Sequence, residues 1–315
     1  MRVLLTGATG FVGKRLVEVI SGSGGLALTN AVRDSTSNVP GEKVVVGSLD
    51  KATDWSPALV SQDVVIHAAA RAHIMDETSQ DPLSEYRRVN VDGTLALARQ
   101  AAEAGVKRFI FLSSIKVNGE TTPYGCPYTA DDKPTPADPY GISKMEAEQG
   151  LRGLANETGM ELVVIRPPLV YGPGVKGNFA SMIDLVGKGA PLPLGSVHNR
   201  RSLVALDNLV DLVVTCIDHP AAANQVFLVS DGHDLSTTEL LRGVGDAMGK
   251  PARLVPVPAG LLMFAASALG RKAVAQRLLG SLQVDISKTR DLLGWEPPLS
   301  AEAGLRRCFV SENDC

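Results

Sequence analysis

A glycine-rich turn near the N-terminus constrains the fold of this chain more than any other feature. The segment Gly7–Gly13 reads GATGFVG, follows an apolar strand candidate and opens a helical pattern. Its first glycine permits a tight turn, its second lets the backbone approach a pyrophosphate, and its third lets the helix pack closely on the strand. A second strand candidate follows at Ala27–Val32, so the turn has the strand–turn–helix context of a dinucleotide-binding site.

The remaining strand candidates are continuous apolar runs, which is typical of parallel strands covered on both faces. They alternate with helical patterns, and this repetition predicts an α/β fold with a doubly wound parallel Rossmann sheet. The strand candidates are Val3–Thr6, Ala27–Val32, Val44–Val46, Val64–Ala68, Arg108–Leu112 and Leu162–Arg166, and the helical patterns are Phe11–Ile20, Leu83–Ala104 and Pro139–Glu157.

Glycine and proline become frequent after Arg166, where the sequence reads as loops around one helix, Phe179–Lys188. We therefore expect residues 1–166 to form an NAD(P)-binding domain, completed by about 203–230. Residues 167–202 and 231–315 then form a smaller C-terminal α/β part that binds substrate. Later elements are predicted at Val204–Asp218 (strand end and helix), Val226–Ser230 (strand), Thr237–Met248 (helix) and Ser287–Leu293 (helix).

Composition excludes several classes of protein. The 315 residues carry a net charge of −3 and few aromatic residues, which disfavours nucleic-acid binding. The longest apolar run in the C-terminal part, Val257–Leu269, is interrupted by proline and glycine and is shorter than the roughly 20 residues of a membrane span. The N-terminal apolar run is also too short for a signal peptide. We therefore expect no membrane insertion. We also expect no metal site, because the cysteines show no C-x-x-C spacing and no clustering with histidine. Free thiols in a reducing cytoplasm are the simplest interpretation of the four cysteines, Cys126, Cys216, Cys308 and Cys315.

The end of the second strand carries the residues that choose between NAD and NADP. An acidic residue there binds the ribose 2′-hydroxyl, whereas an arginine suits a 2′-phosphate. The sequence offers both, with Arg33 favouring NADP and Asp34 within reach of a ribose. This pair leaves the choice open, and Arg33 could equally stack over adenine or lie in solvent.

A serine, a tyrosine and a lysine form the candidate catalytic group. Tyr140 and Lys144 are four residues apart at the start of a helical pattern, so they share one helix face. A neighbouring ammonium favours tyrosinate, which predicts a lowered tyrosine pKa and a general acid or base at neutral pH. Ser114 follows the strand Arg108–Leu112, where it can hydrogen-bond the oxygen that Tyr140 deprotonates.

With these motifs in order, the chain resembles the extended short-chain dehydrogenase/reductase family, especially nucleotide-sugar 4-epimerases and 4-ketoreductases. The resemblance covers nearly the whole length. It rests on GATGFVG at 7–13, IHAAA at 66–70, VNVDGT at 89–94, FLSSIKVNGE at 111–120, YGISK at 140–144, RPPLVYGPG at 166–174 and RRSLVALDNLVD at 200–211.

The resemblance implies a role for each matched residue. Tyr140 is the acid/base, Lys144 its activator and a ribose ligand, and Ser114 the hydroxyl that polarises the sugar O4. Asn178 and Arg201 are implied to hold the nucleotide diphosphate, for which a guanidinium is suited. The implied cofactor contacts come from Gly7, Thr9, Gly10, Phe11, Val12, Gly13, Arg33, Asp34, Ser48, Leu49, Ala69, Ala70, Arg71, Asn90, Tyr140, Lys144 and Pro167.

Departures from the family pattern bear on the substrate. The aromatic residue expected after the serines is replaced by Asn118, and Lys116 precedes it. These two residues either adapt the pocket to an N-acetylated or deoxygenated sugar or are neutral changes at its rim. The acidic pair of the dehydratases is missing beside Ser114, and this disfavours an elimination reaction. His67 ends a buried strand and is interpreted as a satisfied core histidine.

We therefore expect a nucleotide-sugar 4-epimerase that acts on a UDP-hexose or UDP-N-acetylhexosamine through a 4-keto intermediate with NAD. The alternative is an NADPH-dependent 4-ketoreductase of a UDP-4-keto-6-deoxy-N-acetylhexosamine. A non-catalytic NAD(P)-sensing regulator is disfavoured, because it would not need Tyr140 and Lys144. The resemblance further implies a homodimer through the helices Leu83–Ala104 and Pro139–Glu157.

Overall fold

Seven parallel strands form one sheet at the centre of the protein. The computed structural model describes residues 1–71 and 81–309. Within those residues the seven strands of this sheet are β1 (Arg2–Thr6), β2 (Ala27–Val32), β3 (Glu42–Val45), β4 (Val64–His67), β5 (Arg108–Leu112), β6 (Glu161–Arg166) and β9 (Gln225–Leu228). Two further strands, β7 (Leu169–Tyr171) and β8 (Leu203–Ala205), form a separate short pair.

Helices cover both faces of this sheet and build the C-terminal part. In the described residues they are α1 (Phe11–Gly22), α2 (Ser56–Leu59), α3 (Pro82–Arg87), α4 (Thr94–Glu103), α5 (Pro139–Thr158), α6 (Asn178–Gly187), α7 (Leu206–Asp218), α8 (Thr237–Ala247), α9 (Ala259–Ala268), α10 (Lys272–Leu279), α11 (Ser287–Leu293) and α12 (Ala301–Arg307).

The strand order confirms the predicted doubly wound sheet. It runs β3-β2-β1-β4-β5-β6-β9, and every pair in it is parallel. The chain moves outward from β1 in one direction and then from β4 in the other. Ligands of such sheets bind outside the carboxyl ends of the strands near this reversal. We call that side of the sheet the carboxyl edge.

Two hydrophobic cores lie on the two faces of the sheet. Side chains alternate along a strand, so Val3 and Leu5 join one core while Leu4 joins the other. The first core includes residues of α1 and α7, and the second includes residues of α4 and α5. All three side chains are fully buried, which explains why β1 reads as a continuous apolar run.

The C-terminal part has a core of its own. The short parallel pair β7 and β8 packs there with α6, α8 and α12. The last strand of the large sheet, β9, comes from the predicted completing segment 203–230. The division of the chain into two functional parts stays a prediction.

Two sequence predictions differ from the observed helices. The pattern Leu83–Ala104 is not one regular helix, because a π-helical stretch, Arg88–Gly93, separates α3 from α4. The short helix α2 and the helices α9, α10 and α12 were not predicted. Proline and glycine punctuate their surroundings, and α9 is apolar on every side, so it lacks the periodic pattern that reveals a surface helix.

No helix in residues 1–71 and 81–309 is both long and apolar enough to cross a bilayer. Over the same residues, no group of three or more His, Cys, Asp or Glu side chains is placed to bind a metal ion.

Candidate active site

The turn between β1 and α1 has room only for glycine at two positions. Gly7 adopts a φ of +77°, and a Cβ atom there would lie 2.7 Å from the amide nitrogen of Ala69. A Cβ at Gly13 would lie 2.0 Å from the carbonyl oxygen of Gly7. The glycines therefore bring the start of α1 directly against β1 and against the end of β4.

The N-terminus of α1 is suited to an anion. Gly10 caps the helix without a side-chain hydrogen bond, and its first turn contains no acidic residue. Thr9 and Gly10 are exposed, while Phe11 and Val12 are half-buried beside them. Backbone N–H groups at such a helix end carry partial positive charge and bind phosphates. This cradle fits the pyrophosphate of a dinucleotide, as the sequence predicts.

The residues predicted to flank the adenosine lie at the ends of β2 and β3. Arg33 is exposed. The Asp34 carboxylate accepts hydrogen bonds from the Thr36 backbone N–H (3.1 Å) and hydroxyl (2.5 Å), and these bonds lower the pKa of Asp34. Ser48 is exposed and Leu49 half-buried. All four lie on the carboxyl side of the sheet, and their contacts do not separate NAD from NADP.

Asn90 holds the loop that follows β4. It lies in the π-helical stretch, and its Oδ1 accepts from the Arg71 backbone N–H at 2.8 Å. Its Nδ2 donates to the Arg71 carbonyl (3.1 Å) and to the Ser143 hydroxyl (3.0 Å). π-helical turns are frequent at functional sites. Asn90 thus joins the predicted cofactor loop Ala69–Arg71 to α5.

Two adjacent serines after β5 have different environments. The Ser113 hydroxyl points inward and donates to Glu148 Oε1 at 2.5 Å. Ser114 is half-buried and caps the 3₁₀ turn Ile115–Val117, its Oγ accepting from the Lys116 backbone N–H at 3.3 Å. Of the two, Ser114 is therefore the one available to a substrate, and its role at the sugar O4 stays a prediction.

Tyr140 and Lys144 lie on the first turns of α5, which pack against this 3₁₀ turn. A Cβ at Gly141 would come within 2.8 Å of the Lys116 carbonyl oxygen, so glycine lets the two turns approach. The Lys144 ammonium donates to the Leu112 carbonyl at 2.8 Å and lies 4.4 Å from the centre of the Phe111 ring. Ser114, Tyr140 and Lys144 thus gather at the carboxyl edge.

The pKa of Tyr140 shifts upward, which is opposite to the lowering that its spacing from Lys144 predicts. Burial raises the pKa of Tyr140, and the nearby Asp138 and Tyr86 add to the shift. Burial lowers the pKa of Lys144 to about 7, although Glu148 acts in the opposite direction. The protein environment withdraws water from both groups, and this cost outweighs the attraction that their spacing predicts.

A buried polar chain supports the catalytic group. Glu148 pairs with Arg166 through two hydrogen bonds (2.6 and 2.9 Å), and both side chains are almost fully buried. Arg166 also donates to Asn118 Oδ1 at 2.9 Å, and Asn118 Nδ2 donates to the Thr129 carbonyl at 2.9 Å. Asn118 is fully buried with both polar atoms engaged inside the protein, and its contact with the sugar stays a prediction.

Lys116 is also engaged within the protein. Its ammonium forms ion pairs with the carboxylates of Asp138 and Glu120, the second at 3.3 Å. Asp138 in turn caps α5 by accepting from the Gly141 N–H at 2.7 Å. Lys116 therefore fixes the first turn of α5, and the structure supports this role better than a sugar contact.

His67 is a core residue, as the sequence interpretation holds. Its Nδ1 lies 2.7 Å from the Thr6 hydroxyl and its Nε2 lies 2.9 Å from the Thr94 hydroxyl. Burial, with the nearby Lys144, lowers the pKa of His67 to about 3. The ring is neutral at physiological pH and fully buried.

The predicted diphosphate residues lie in the C-terminal part. Asn178 is exposed at the first residue of α6. Arg201 is half-buried, and its Nη1 donates to the carbonyls of Arg277 (2.9 Å) and Gly280 (3.1 Å) at the end of α10. Arg201 is therefore hydrogen-bonded to the end of α10, and no sequence motif predicts this contact.

Other residues of the site were missed by sequence reasoning. The Tyr86 and Tyr140 rings meet edge to face with centroids 5.9 Å apart, and the Arg71 guanidinium lies 5.6 Å from the centroid of Tyr86. Glu148 and Arg166 were missed as well. The position of Glu148, four residues after Lys144 on one helix face, is a signal that could have found it.

The fold is a doubly wound sheet with a glycine turn before its first helix, and serine, tyrosine and lysine lie at its carboxyl edge. These features define an enzyme of the extended short-chain dehydrogenase/reductase type. Residues 3–230 match the model of the NAD dependent epimerase/dehydratase family, and the chain belongs to that family.

Curated relatives and solved structures share almost the whole chain. A protein from Vibrio cholerae named UDP-glucose 4-epimerase is 51% identical, over 99% of this chain and 96% of its own. An Escherichia coli O157:H7 protein named N-acetyl-alpha-D-glucosaminyl-diphospho-ditrans,octacis-undecaprenol 4-epimerase is 31% identical, over 82% of this chain and 77% of its own. The structure of a Thermotoga maritima UDP-glucose 4-epimerase with UDP-glucose aligns with a TM-score of 0.76 and 25% identity, over 98% of this chain and 97% of the other.

Proposed function

We propose that the protein interconverts the C4 epimers of a UDP-hexose or UDP-N-acetylhexosamine through a 4-keto intermediate, with NAD as its cofactor. One observation carries the proposal: the turn after Ser114 packs against the helix start that bears Tyr140 and Lys144. The 51% identity with the Vibrio cholerae UDP-glucose 4-epimerase supports the same chemistry.

Each predicted residue then has a task at the sugar O4. Tyr140 takes the O4 proton during oxidation and returns it during reduction. Ser114 donates a hydrogen bond to O4 and so stabilises the negative charge that develops there. The glycine turn and the start of α1 would hold the NAD pyrophosphate, with Asn90 fixing the loop Ala69–Arg71. Pro167 follows β6, and its carbonyl accepts from the Ile115 N–H at 2.9 Å, next to Ser114. When bound, NAD supplies the acceptor that takes the C4 hydride and gives it back.

The protonation states of Tyr140 and Lys144 set the pH dependence of this proton transfer. The raised pKa of Tyr140 keeps the phenol protonated at neutral pH, the form that donates a proton to O4. Removal of a proton from O4 needs the phenolate, which the Lys144 ammonium favours. Because the pKa of Lys144 is about 7, its ammonium fraction falls as the pH rises through neutrality.

Arg201 and Asn178 are the proposed ligands of the diphosphate. A guanidinium has five N–H donors, so Arg201 can keep its bonds to the carbonyls of Arg277 and Gly280 and still bind phosphate oxygens. A diphosphate held away from the sugar leaves the 4-keto ring free to turn and present its other face, which epimerisation requires.

We also propose a homodimer that forms through the outer faces of α3, α4 and α5, and a cytoplasmic location. The second proposal is supported by the cysteines of the described segments, Cys126, Cys216 and Cys308, which are free thiols.

A sugar carried on a polyprenyl diphosphate is a second candidate substrate. The name of the Escherichia coli relative specifies such a compound. The exposed apolar helix α9 favours this candidate, since α10, its neighbour in the fold, holds Arg201. The chemistry at O4 is the same for both substrates.

Incubation of the purified protein with a panel of UDP-sugars and an N-acetylhexosamine polyprenyl diphosphate, with and without NADPH, tests the proposal by NMR. We expect a mixture of C4 epimers without added cofactor. Stoichiometric NADPH consumption with a UDP-4-keto-6-deoxy-N-acetylhexosamine, and no epimers, would instead establish the 4-ketoreductase.

A further inference from the structure

The helix α9 is apolar and exposed to a degree that its own chain does not explain. Its ten residues include no charged side chain, and none of the ten is buried. Phe264 is 72% exposed, Leu261 58%, and Leu269 just after the helix 75%. A helix that is apolar all round is expected either in a protein core or in lipid.

The charge around α9 has one sign. Residues 247–284 contain no aspartate or glutamate, although the whole protein is net negative. The stretch carries five basic residues, Lys250, Arg253, Arg271, Lys272 and Arg277, of which each is exposed. The last three lie in or beside α10, which packs against α9. An apolar helix whose neighbouring segments along the chain carry only positive charge complements a surface of anionic lipid headgroups above an apolar layer.

The length of α9 fits a helix that lies at the membrane interface. Ten residues extend about 15 Å, half the thickness of the hydrocarbon core of a bilayer. Such a helix cannot span the bilayer, but it can place its apolar side chains at the boundary of headgroups and acyl chains.

From the exposed apolar surface and the uniform positive charge, we infer that the hairpin α9–α10 docks the protein on an anionic membrane surface. The last turn of α10 would bring the proposed diphosphate residue Arg201 close to that surface, because Arg201 donates to the carbonyls of Arg277 and Gly280. Docking agrees with the expectation of no membrane insertion, because the chain would lie on the bilayer and would not cross it. The inference does not depend on the proposed function, since docking requires no turnover.

Cosedimentation with vesicles tests the docking. The full-length protein is mixed with phosphatidylcholine vesicles in which about a third of the lipid is phosphatidylglycerol, and with vesicles of phosphatidylcholine alone. We expect binding to the anionic vesicles, weaker binding without phosphatidylglycerol, and weaker binding at high salt. Phe264→Asp should reduce the bound fraction by about tenfold or more, because it removes apolar burial and adds a repelled charge.

Val60→Asp is the matched control, since Val60 is 64% exposed on the other half of the molecule and the substitution adds the same charge. Val60→Asp should bind as the unchanged protein does, and both variants should keep their activity on a soluble UDP-sugar. Equal vesicle binding of the two variants would overturn the inference. Light scattering that shows a dimer split by Phe264→Asp, without vesicle binding by the parent, would also overturn it, because the hairpin would then join two copies of the chain.

Discussion

The two halves of the molecule use polar groups in opposite ways. At the carboxyl edge of the large sheet, polar side chains are buried and satisfied: Glu148, Arg166 and Ser113 form one hydrogen-bonded chain beneath Lys144. In the hairpin α9–α10, apolar side chains are exposed and the charged groups face outward. The buried hydrogen bonds of the first arrangement fix the side-chain positions that proton transfer needs. The exposed apolar surface of the second arrangement has no partner within the described part of the chain.

This contrast predicts that substitutions at the carboxyl edge affect chemistry and folding, while substitutions in the hairpin affect neither. The largest effect is expected for Tyr140→Phe, which removes the group that moves the O4 proton. Turnover should fall by about 10²–10⁴-fold while NAD stays bound. A steady-state assay with cofactor content measured by absorbance checks both. Tyr124→Phe, at an exposed tyrosine, should leave turnover unchanged.

Glu148→Gln tests how much the buried ion pair at the carboxyl edge contributes to stability. It leaves the buried Arg166 guanidinium without its carboxylate, which should lower the free energy of unfolding by about 3–5 kcal/mol. Glu146→Gln is the control on the same helix, because Glu146 pairs with Arg87 at the surface and should cost less than about 1 kcal/mol. Urea unfolding of both variants gives the difference. Equal losses would mean that burial of the Glu148 pair has no special weight.

Gly13→Ala tests the steric reading of the glycine turn. The added Cβ would lie 2.0 Å from the Gly7 carbonyl oxygen, so α1 must shift away from β1. We expect a loss of about 1–3 kcal/mol in the free energy of unfolding, together with loss of bound NAD. Gly153→Ala in α5, where nothing lies within 4 Å of the added atom, should instead stabilise by up to about 1 kcal/mol. An unchanged NAD content in Gly13→Ala would contradict the proposed cradle.

The buried amine of Lys144 should give the most specific signature, a dependence of stability on pH. The folded protein releases this proton near pH 7, whereas the unfolded chain holds it up to its ordinary pKa of 10.5. The unfolded state therefore binds more protons between these values, and Lys144 makes stability rise with pH across that window. Relative to Lys144→Met, the parent should gain free energy of unfolding from pH 7 to pH 10. For Lys107→Met, at an exposed lysine, the difference in free energy of unfolding from the parent should not change from pH 7 to pH 10.

The turn between β1 and α1 could be predicted from the sequence because steric rules choose its residues. A Cβ at Gly7 or Gly13 would meet backbone atoms, so the spacing of these glycines reveals the turn. The π-helical stretch around Asn90 could not be read in this way, since its extra residue per turn leaves the apolar pattern of a helix almost intact.

The direction of the Tyr140 pKa shift was predicted incorrectly, and the internal partners of Asn118 were not foreseen, for a related reason. Sequence spacing shows that Lys144 lies beside Tyr140, but it does not show how much water each group loses on folding. It also does not show that Arg166, 48 residues further along the chain, occupies the Asn118 oxygen. In the C-terminal part, α9 escaped notice because a helix apolar on all sides has no periodicity to detect.

In the proposed reaction, a hydride leaves C4 and returns to the same sugar within one site. A UDP-hexose labelled with deuterium at C4, incubated with the protein in ordinary water without added cofactor, tests it directly by NMR and mass spectrometry. We expect the C4 epimer to form with its deuterium retained at C4. Loss of the label to solvent, or product formation only with added nicotinamide cofactor, would contradict it.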